Sequence, residues 1–260
     1  MTLSDFESFA FDHAGATRTV YRRGAGPGVV IMHEIPGITP NVAAFARRVA
    51  DAGFTVFVPE LFGTTGRPPG PGYITGQLAR ACVGREFKVL AANESSPIVD
   101  WLRALCRRVH AELGGRGVGA LGMCITGNFG LALMVDPSVV APVLSQPSLP
   151  LGLGEARRAG LHVGDDELVT IQRRAKEEGI GVLGLRFTHD PACPPERFAR
   201  LRKELGAQFE GIELDSSPGN PHGHRRLAHS VLTEDLVDRD GHPTRAALDR
   251  VLSFFAERLR

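Results

Sequence analysis

Apolar residues along this chain fall into short unbroken runs separated by helical stripes. Residues 17–22 (TRTVYR) alternate like a half-buried strand. Residues 29–32 form a continuous apolar run after a glycine-punctuated start, the pattern of a strand, read over 29–33, that is covered on both faces. Residues 40–52 carry Val42, Ala43, Ala46, Val49 and Ala50 at helical spacing, and Gly53 closes that helix. A second buried strand follows at 55–60, and the Gly/Pro-rich stretch 63–76 reads as loop. Ser96 and Pro97 have the form of an N-cap and first helical residue, opening a helix over 97–113 that buries Val99, Leu102, Leu105, Cys106 and Val109. Further buried strands are expected at 118–123, 139–145, 182–187 and 209–214, with helices at 126–135, 195–205 and 244–259. Buried strands alternating with helices predict an α/β protein, a doubly wound and mostly parallel sheet with helices on both faces. In such sheets ligands gather at the carboxyl ends of the strands.

One connection is longer than the rest. Residues 146–180 start with Pro and Gly and continue into a charged helical segment, DDELVTIQRRAKEEG. This length fits a small cap over the site or a helix laid on the sheet face. The expected organisation is otherwise a single domain over 1–260, with no internal repeat and no low-complexity tract.

Composition narrows the function classes. Of the 260 residues 43% are hydrophobic and 23% charged, and the formal net charge is +1, so neither nucleic acid nor an anionic membrane is an expected partner. No apolar run approaches the roughly 18 residues of a spanning helix. The first residues, MTLSDFESFAFDH, lack the basic and apolar regions of a signal peptide. Cys82, Cys106, Cys124 and Cys193 form no C-x-x-C pair, so neither a metal site nor a redox dithiol is expected, and free thiols in a cytoplasmic setting are.

Gly122-Met123-Cys124-Ile125-Thr126-Gly127 directly follows an expected strand and opens an expected helix. That is the context of a nucleophile elbow, a tight turn that needs small flanking residues. The plain alternative for Cys124 is a buried structural cysteine, and the strand–turn–helix placement favours the nucleophile. The N–H of Ile125 would be an oxyanion donor beside it. A nucleophilic thiol needs a base and the base an orienting acid, in the chain order nucleophile, acid, histidine. Asp190 follows the strand at 182–187; an aspartate there is often a turn former, but Pro194 and Pro195 can open the next helix without it. His222, His224 and His229 share the loop SSPGNPHGHRRLAHS, and each is a candidate base. His229 is preferred because Val231 and Leu232 would anchor it against the sheet. His222 and His224 also have metal-ligand spacing, which without carboxylate company is weak evidence. Glu34 ends the first buried strand among apolar neighbours, where its pKa should be perturbed and it could hydrogen-bond the thiol or the histidine. The N–H of Ile35 would complete the oxyanion hole.

HEIPG at 33–37, GMCITG at 122–127, the Asp190 loop and HSVL at 229–232 together resemble the dienelactone hydrolase family of α/β-hydrolases. The order of elements agrees with that family from about residue 17 to the C-terminus. The resemblance implies a Cys124–His229–Asp190 triad, with Glu34 holding the resting thiol. It implies a hydrolase that opens a lactone or ester bond, such as an enol lactone from aromatic catabolism, through a cysteine acyl-enzyme and with no cofactor. Partners are then a small ester or lactone substrate, with the protein a monomer or small homo-oligomer. The sequence departs from the family at Thr126, where glycine is usual and a threonine would crowd the turn or bring a hydroxyl to the oxyanion. The stretch from Asp190 to the histidine and the 146–180 connection are both enlarged. Arg80, Arg85 and Arg226 are the candidates for holding a substrate carboxylate. A carboxylesterase or thioesterase with the same triad, a ligand-binding protein on a hydrolase scaffold and a redox-sensing thiol are the competing readings.

Overall fold

A computed structural model of the chain describes residues 3–83, 96–148 and 158–260. Eight strands form one sheet: β1 Glu7–His13, β2 Ala16–Gly24, β3 Gly28–Met32, β4 Thr55–Pro59, β5 Val118–Met123, β6 Val139–Ser145, β7 Val182–Phe187 and β8 Phe209–Leu214. Their order is β1-β2-β4-β3-β5-β6-β7-β8. The β1–β2 and β2–β4 pairs are antiparallel and all others parallel. The mostly parallel, doubly wound reading is therefore correct, with an antiparallel hairpin added at one edge. β1 was not anticipated. Its residues alternate at a half-exposed edge, with Phe9 packed edge-on against Phe57 and Phe11 against Trp101.

Helices cover both faces, which is why β3 to β7 read as near-continuous apolar runs. Val29 and Ile31 pack with α1 (Pro40–Asp51) and the C-terminal helix Pro243–Leu259 in one cluster. Val30 and Met32, one residue out of phase, pack with the helices Pro97–Leu113, Gly127–Leu133 and Pro195–Leu205 in the other. The alternation of faces along a strand assigns the two sets.

Two expectations about the connections change. The stretch expected to be loop over 63–76 is helical from Pro71 onward, as α2 (Pro71–Val83). Gly72 and Gly76 disguised it, yet both have open space around them, and proline is well placed in a first helical turn. Numbering on, α3 is Pro97–Leu113, α4 Gly127–Leu133, α5 Asp165–Glu177, α6 Pro195–Leu205 and α7 Pro243–Leu259. Of the two fates weighed for 146–180, α5 takes the sheet-face one: Ile171 and Ala175 join the core, and Arg174 reaches the carbonyl of Val139 at the amino end of β6, away from the strand ends that bear Cys124. The cap expectation for residues 149–157 lies outside the described residues. The helix expected at 126–135 opens as a 3-10 turn, Cys124–Thr126, and continues as α4.

Candidate active site

The turn from β5 into α4 holds Cys124 at φ 59°, in the left-handed region that costs a non-glycine residue about 1 kcal/mol or more. Close approach explains its flanks. A Cβ on Gly122 would lie 1.9 Å from the carbonyl oxygen of Thr126, and one on Gly127 2.8 Å from Cα of Pro147. Thr126 does not crowd this turn, as the sequence had suggested. Its hydroxyl oxygen accepts from the N–H of Met123 at 2.9 Å and lies 2.9 Å from the carbonyl oxygen of Met32. The threonine thus joins the elbow to the end of β3, and its side chain is fully buried.

Asp190 follows β7 and is 3% exposed. One carboxylate oxygen accepts from the N–H of Ala192 at 2.9 Å; the other lies 2.6 Å from Nδ1 of His229, which donates to it. Nδ1 is thereby committed to Asp190, which leaves Nε2 as the ring nitrogen free for Cys124, whose sulfur acts on the protonation of His229. The backbone at this histidine is fixed separately: the N–H groups of His229 and Ser230 donate to Asp235 at 2.9 and 3.1 Å. Burial alone would lower the pKa of His229. The charge at the Cys124 sulfur and the bond and charge of Asp190 outweigh it, and the imidazole is raised well above its ordinary value. His222 and His224 do not come to Asp190. His222 is exposed, and His224 is packed edge-on against Phe187 with Nδ1 donating to the carbonyl of Asp215 at 2.7 Å.

Glu34 is 3% exposed at the end of β3. It accepts from Ser230 Oγ at 2.7 Å, from Thr233 Oγ1 and from Gln146 Nε2 at 3.3 Å. Burial raises its pKa, and the two hydroxyls and His229 only partly pull it back. These bonds turn the carboxyl toward the segment that carries His229. The hydroxyl found at the thiol is that of Ser148, with Oγ 3.1 Å from Sγ. Beneath this turn His33 is buried: Nε2 accepts from the N–H of Leu61 at 3.0 Å and Nδ1 donates to the carbonyl of Glu34 at 3.1 Å. Burial holds its pKa down to about 4, so it is neutral.

Cys124, Asp190, His229 and Glu34 all line one cavity of about 350 Å³, together with Ile35 and Ile125. The rest of its wall is largely apolar and includes Ile74 and Leu78 of α2 and Leu227, with Glu234 also lining it. Glu234 is held by Asn41 Nδ2 at 2.7 Å. Of the arginines considered for a substrate carboxylate, Arg226 is exposed beside Leu227, the side chain of Arg80 is not among those described, and Arg85 lies outside the described residues. Among the described residues no cluster of three His, Cys, Asp or Glu groups is placed to hold a metal ion, and no helix is long and apolar enough to cross a membrane.

Ser148, Gln146, Thr233 and Asp235 were not singled out from the sequence. Ser148 and Gln146 follow β6, so the rule that sites collect at strand carboxyl ends points to their segment. Thr233 and Asp235 matter only through contacts with residues distant in the chain.

A mostly parallel eight-stranded sheet with a strained elbow after β5 and a hydrogen-bonded His–Asp pair after later strands defines an α/β-hydrolase. Its family model matches residues 16–259: this chain belongs to the dienelactone hydrolase family and is a hydrolase of ester or lactone bonds. A Saccharomyces cerevisiae protein provisionally assigned as a carboxymethylenebutenolidase is 24% identical over 203 residues, covering 75% of this chain and 69% of that one. A provisionally assigned dienelactone hydrolase from Klebsiella pneumoniae subsp. pneumoniae has the same fold, with TM-score 0.65, 19% identity and coverage of 97% of this chain and 98% of that one. So does a cold-adapted esterase from an Arctic intertidal metagenomic library, with TM-score 0.60, 14% identity and coverage of 98% and 94%.

Proposed function

We propose that Cys124 is the nucleophile of this hydrolase and that turnover passes through a thioester on its sulfur. The observation that carries the reading is the convergence of three groups on one cavity: a cysteine at φ 59°, His229, and Asp190, whose carboxylate lies 2.6 Å from His229 Nδ1. Cys124 yields its thiol proton to Nε2 of His229, Sγ attacks the carbonyl carbon of an ester or lactone, and a tetrahedral oxyanion forms. The N–H groups of Ile35 and Ile125 hold that oxyanion, at about 3 kcal/mol for each such donor. His229, oriented by Asp190, passes its proton to the leaving oxygen, and the C–O bond breaks. Water then attacks the thioester and gives its proton to His229, and the C–S bond breaks. Cysteine is a good leaving group as well as a strong nucleophile, which suits activated acyl groups such as enol lactones and aryl esters. A reducing cytoplasm is the setting that keeps such a thiol free.

The lining of the cavity favours a second substrate class. Ile74, Leu78 and Leu227, together with Glu234, match a neutral, apolar ester better than a carboxylated lactone. A carboxylesterase or thioesterase using the same triad is therefore the competing assignment.

The test is hydrolysis of p-nitrophenyl acetate, simple alkyl esters and cis- and trans-dienelactone by wild type and Cys124→Ala. Fast lactone turnover that disappears in the variant supports the lactonase. Cysteine-dependent turnover confined to neutral esters supports the carboxylesterase. Full activity in Cys124→Ala refutes the thioester route.

A further inference from the structure

The geometry points to Ser148 as a further catalytic residue, whose hydroxyl stabilises the Cys124 sulfur as it leaves the thioester. This inference rests on the cysteine acyl-enzyme proposed above and adds a group to its second half-reaction.

Ser148 Oγ lies 3.1 Å from Sγ. The residue is 2% exposed, and its backbone is tied to the elbow at both ends. Its N–H donates to the carbonyl of Cys124 at 3.0 Å, and its own carbonyl accepts from Asn128 Nδ2 at 2.9 Å. The same Asn128 amide donates to the carbonyl of Ile125 at 3.0 Å. Gly127 admits this segment, since Cα of Pro147 lies only 2.8 Å from where its Cβ would be. The hydroxyl is thus delivered to the sulfur by main-chain bonds and does not have to move. The neighbouring hydroxyls point elsewhere: Ser230 and Thr233 donate to Glu34, and Thr126 bonds the main chain.

A neutral thioester sulfur is a weak hydrogen-bond acceptor, whereas a sulfur bearing negative charge is a strong one. The bond from Ser148 therefore strengthens wherever charge builds on Sγ. In acylation the charge leaves the sulfur as the C–S bond forms. The hydroxyl favours the reactive thiolate but also tempers its attack, and these effects oppose. In deacylation the charge returns. Water adds to the thioester carbon, its proton goes to His229, the C=O re-forms, and the C–S electron pair falls on Sγ, where Ser148 donates without transferring its proton. Only this half-reaction gains throughout from the hydroxyl.

The experiment is stopped-flow hydrolysis of p-nitrophenyl acetate by the full chain as wild type, Ser148→Ala, Ser148→Gly, Ser148→Thr and Cys124→Ala, with acid-quenched samples analysed for acetyl on Cys124. In Ser148→Ala, kcat is expected to fall about 10- to 100-fold while kcat/KM changes by less than about threefold. A burst of p-nitrophenol close to one per active site should appear, with acetyl-Cys124 accumulating. Ser148→Gly should behave alike, which covers a failure of the alanine variant to fold. Ser148→Thr, which keeps the hydroxyl, should restore wild-type kcat to within about threefold. The inference is overturned if kcat is unchanged, if kcat and kcat/KM fall together without a burst, or if Ser148→Thr is as slow as Ser148→Ala. Those outcomes leave the acyl-enzyme standing as long as Cys124→Ala is dead; an active Cys124→Ala instead refutes the acyl-enzyme itself.

Discussion

At the amino ends of the strands Arg174 is 2% exposed and donates to the carbonyls of Met134, Asp136 and Val139 at 2.6, 2.7 and 3.0 Å, with Glu178 at 2.8 Å. At the carboxyl ends Glu34, Asp190 and His229 are just as densely bonded, yet the arrangement has different consequences. The arginine's partners are fixed acceptors, and it lines no part of the cavity. The carboxyl-end groups line it, sit beside a residue in left-handed conformation, and include a raised carboxyl and a raised imidazole. Buried charge alone therefore does not distinguish a reacting site from a structural tie. Strain, access and shifted protonation, occurring together, do. The cysteines repeat the lesson. Burial pushes the Cys106 thiol up and that of Cys193 up to about 12, which keeps both protonated and inert, whereas Cys124 opens onto the cavity.

The sharpest break in the comparison comes from Cys124, the proposed nucleophile. Cys124→Ala should lower kcat/KM for p-nitrophenyl acetate by about 10⁴-fold, measured in steady state, with the melting temperature little changed. Asp190→Asn keeps the shape but disturbs the tautomer of His229, and about 10³-fold of the same parameter should be lost. At the other end the signature reverses. Arg174→Met removes the guanidinium donor from the carbonyls of Met134, Asp136, Pro137 and Val139 and should cost about 3 kcal/mol in urea unfolding while kcat stays within about twofold. An Arg174 variant that loses activity without losing stability would erase the distinction.

The pH dependence of stability should belong to the carboxyl end. His33 is depressed from 6.5 to about 4, so its contribution is complete above pH 6.5 and is lost as pH falls through 4. The loss should reach about 3 kcal/mol at pH 4, seen as a narrowing gap between wild type and His33→Gln in urea titrations. Glu34 is raised, so its sign is opposite. Its contribution is complete below pH 4.5 and is lost as pH rises through the folded value, and Glu34→Gln should gain on wild type as pH increases. The smallest effect is expected at Thr126→Val, which unties the elbow from β3 and should cost about 1 kcal/mol.

Much of this was legible in the residues, for physical reasons that differ by element. β3 to β7 are covered on both faces and so announce themselves as apolar runs, whereas β1 alternates at an edge, and α2 hides behind two glycines. Cys124, Asp190 and His229 each follow a strand, and His229 was preferred to its rivals for the apolar Val231 and Leu232 after it, which the structure buries fully. Ser148 at the thiol and Thr233 at Glu34 depend on approaches between segments far apart in the chain, which no local pattern records. The bonds that hold Glu34 have the same origin, in hydroxyls contributed nearly 200 residues later.

The most direct test of the central claim is peptide mapping of wild type quenched in acid during turnover of p-nitrophenyl acetate. The account predicts acetyl on the peptide bearing Cys124, formed and released at rates that match kcat. Turnover with no such adduct, and with Cys124→Ala still active, would contradict it.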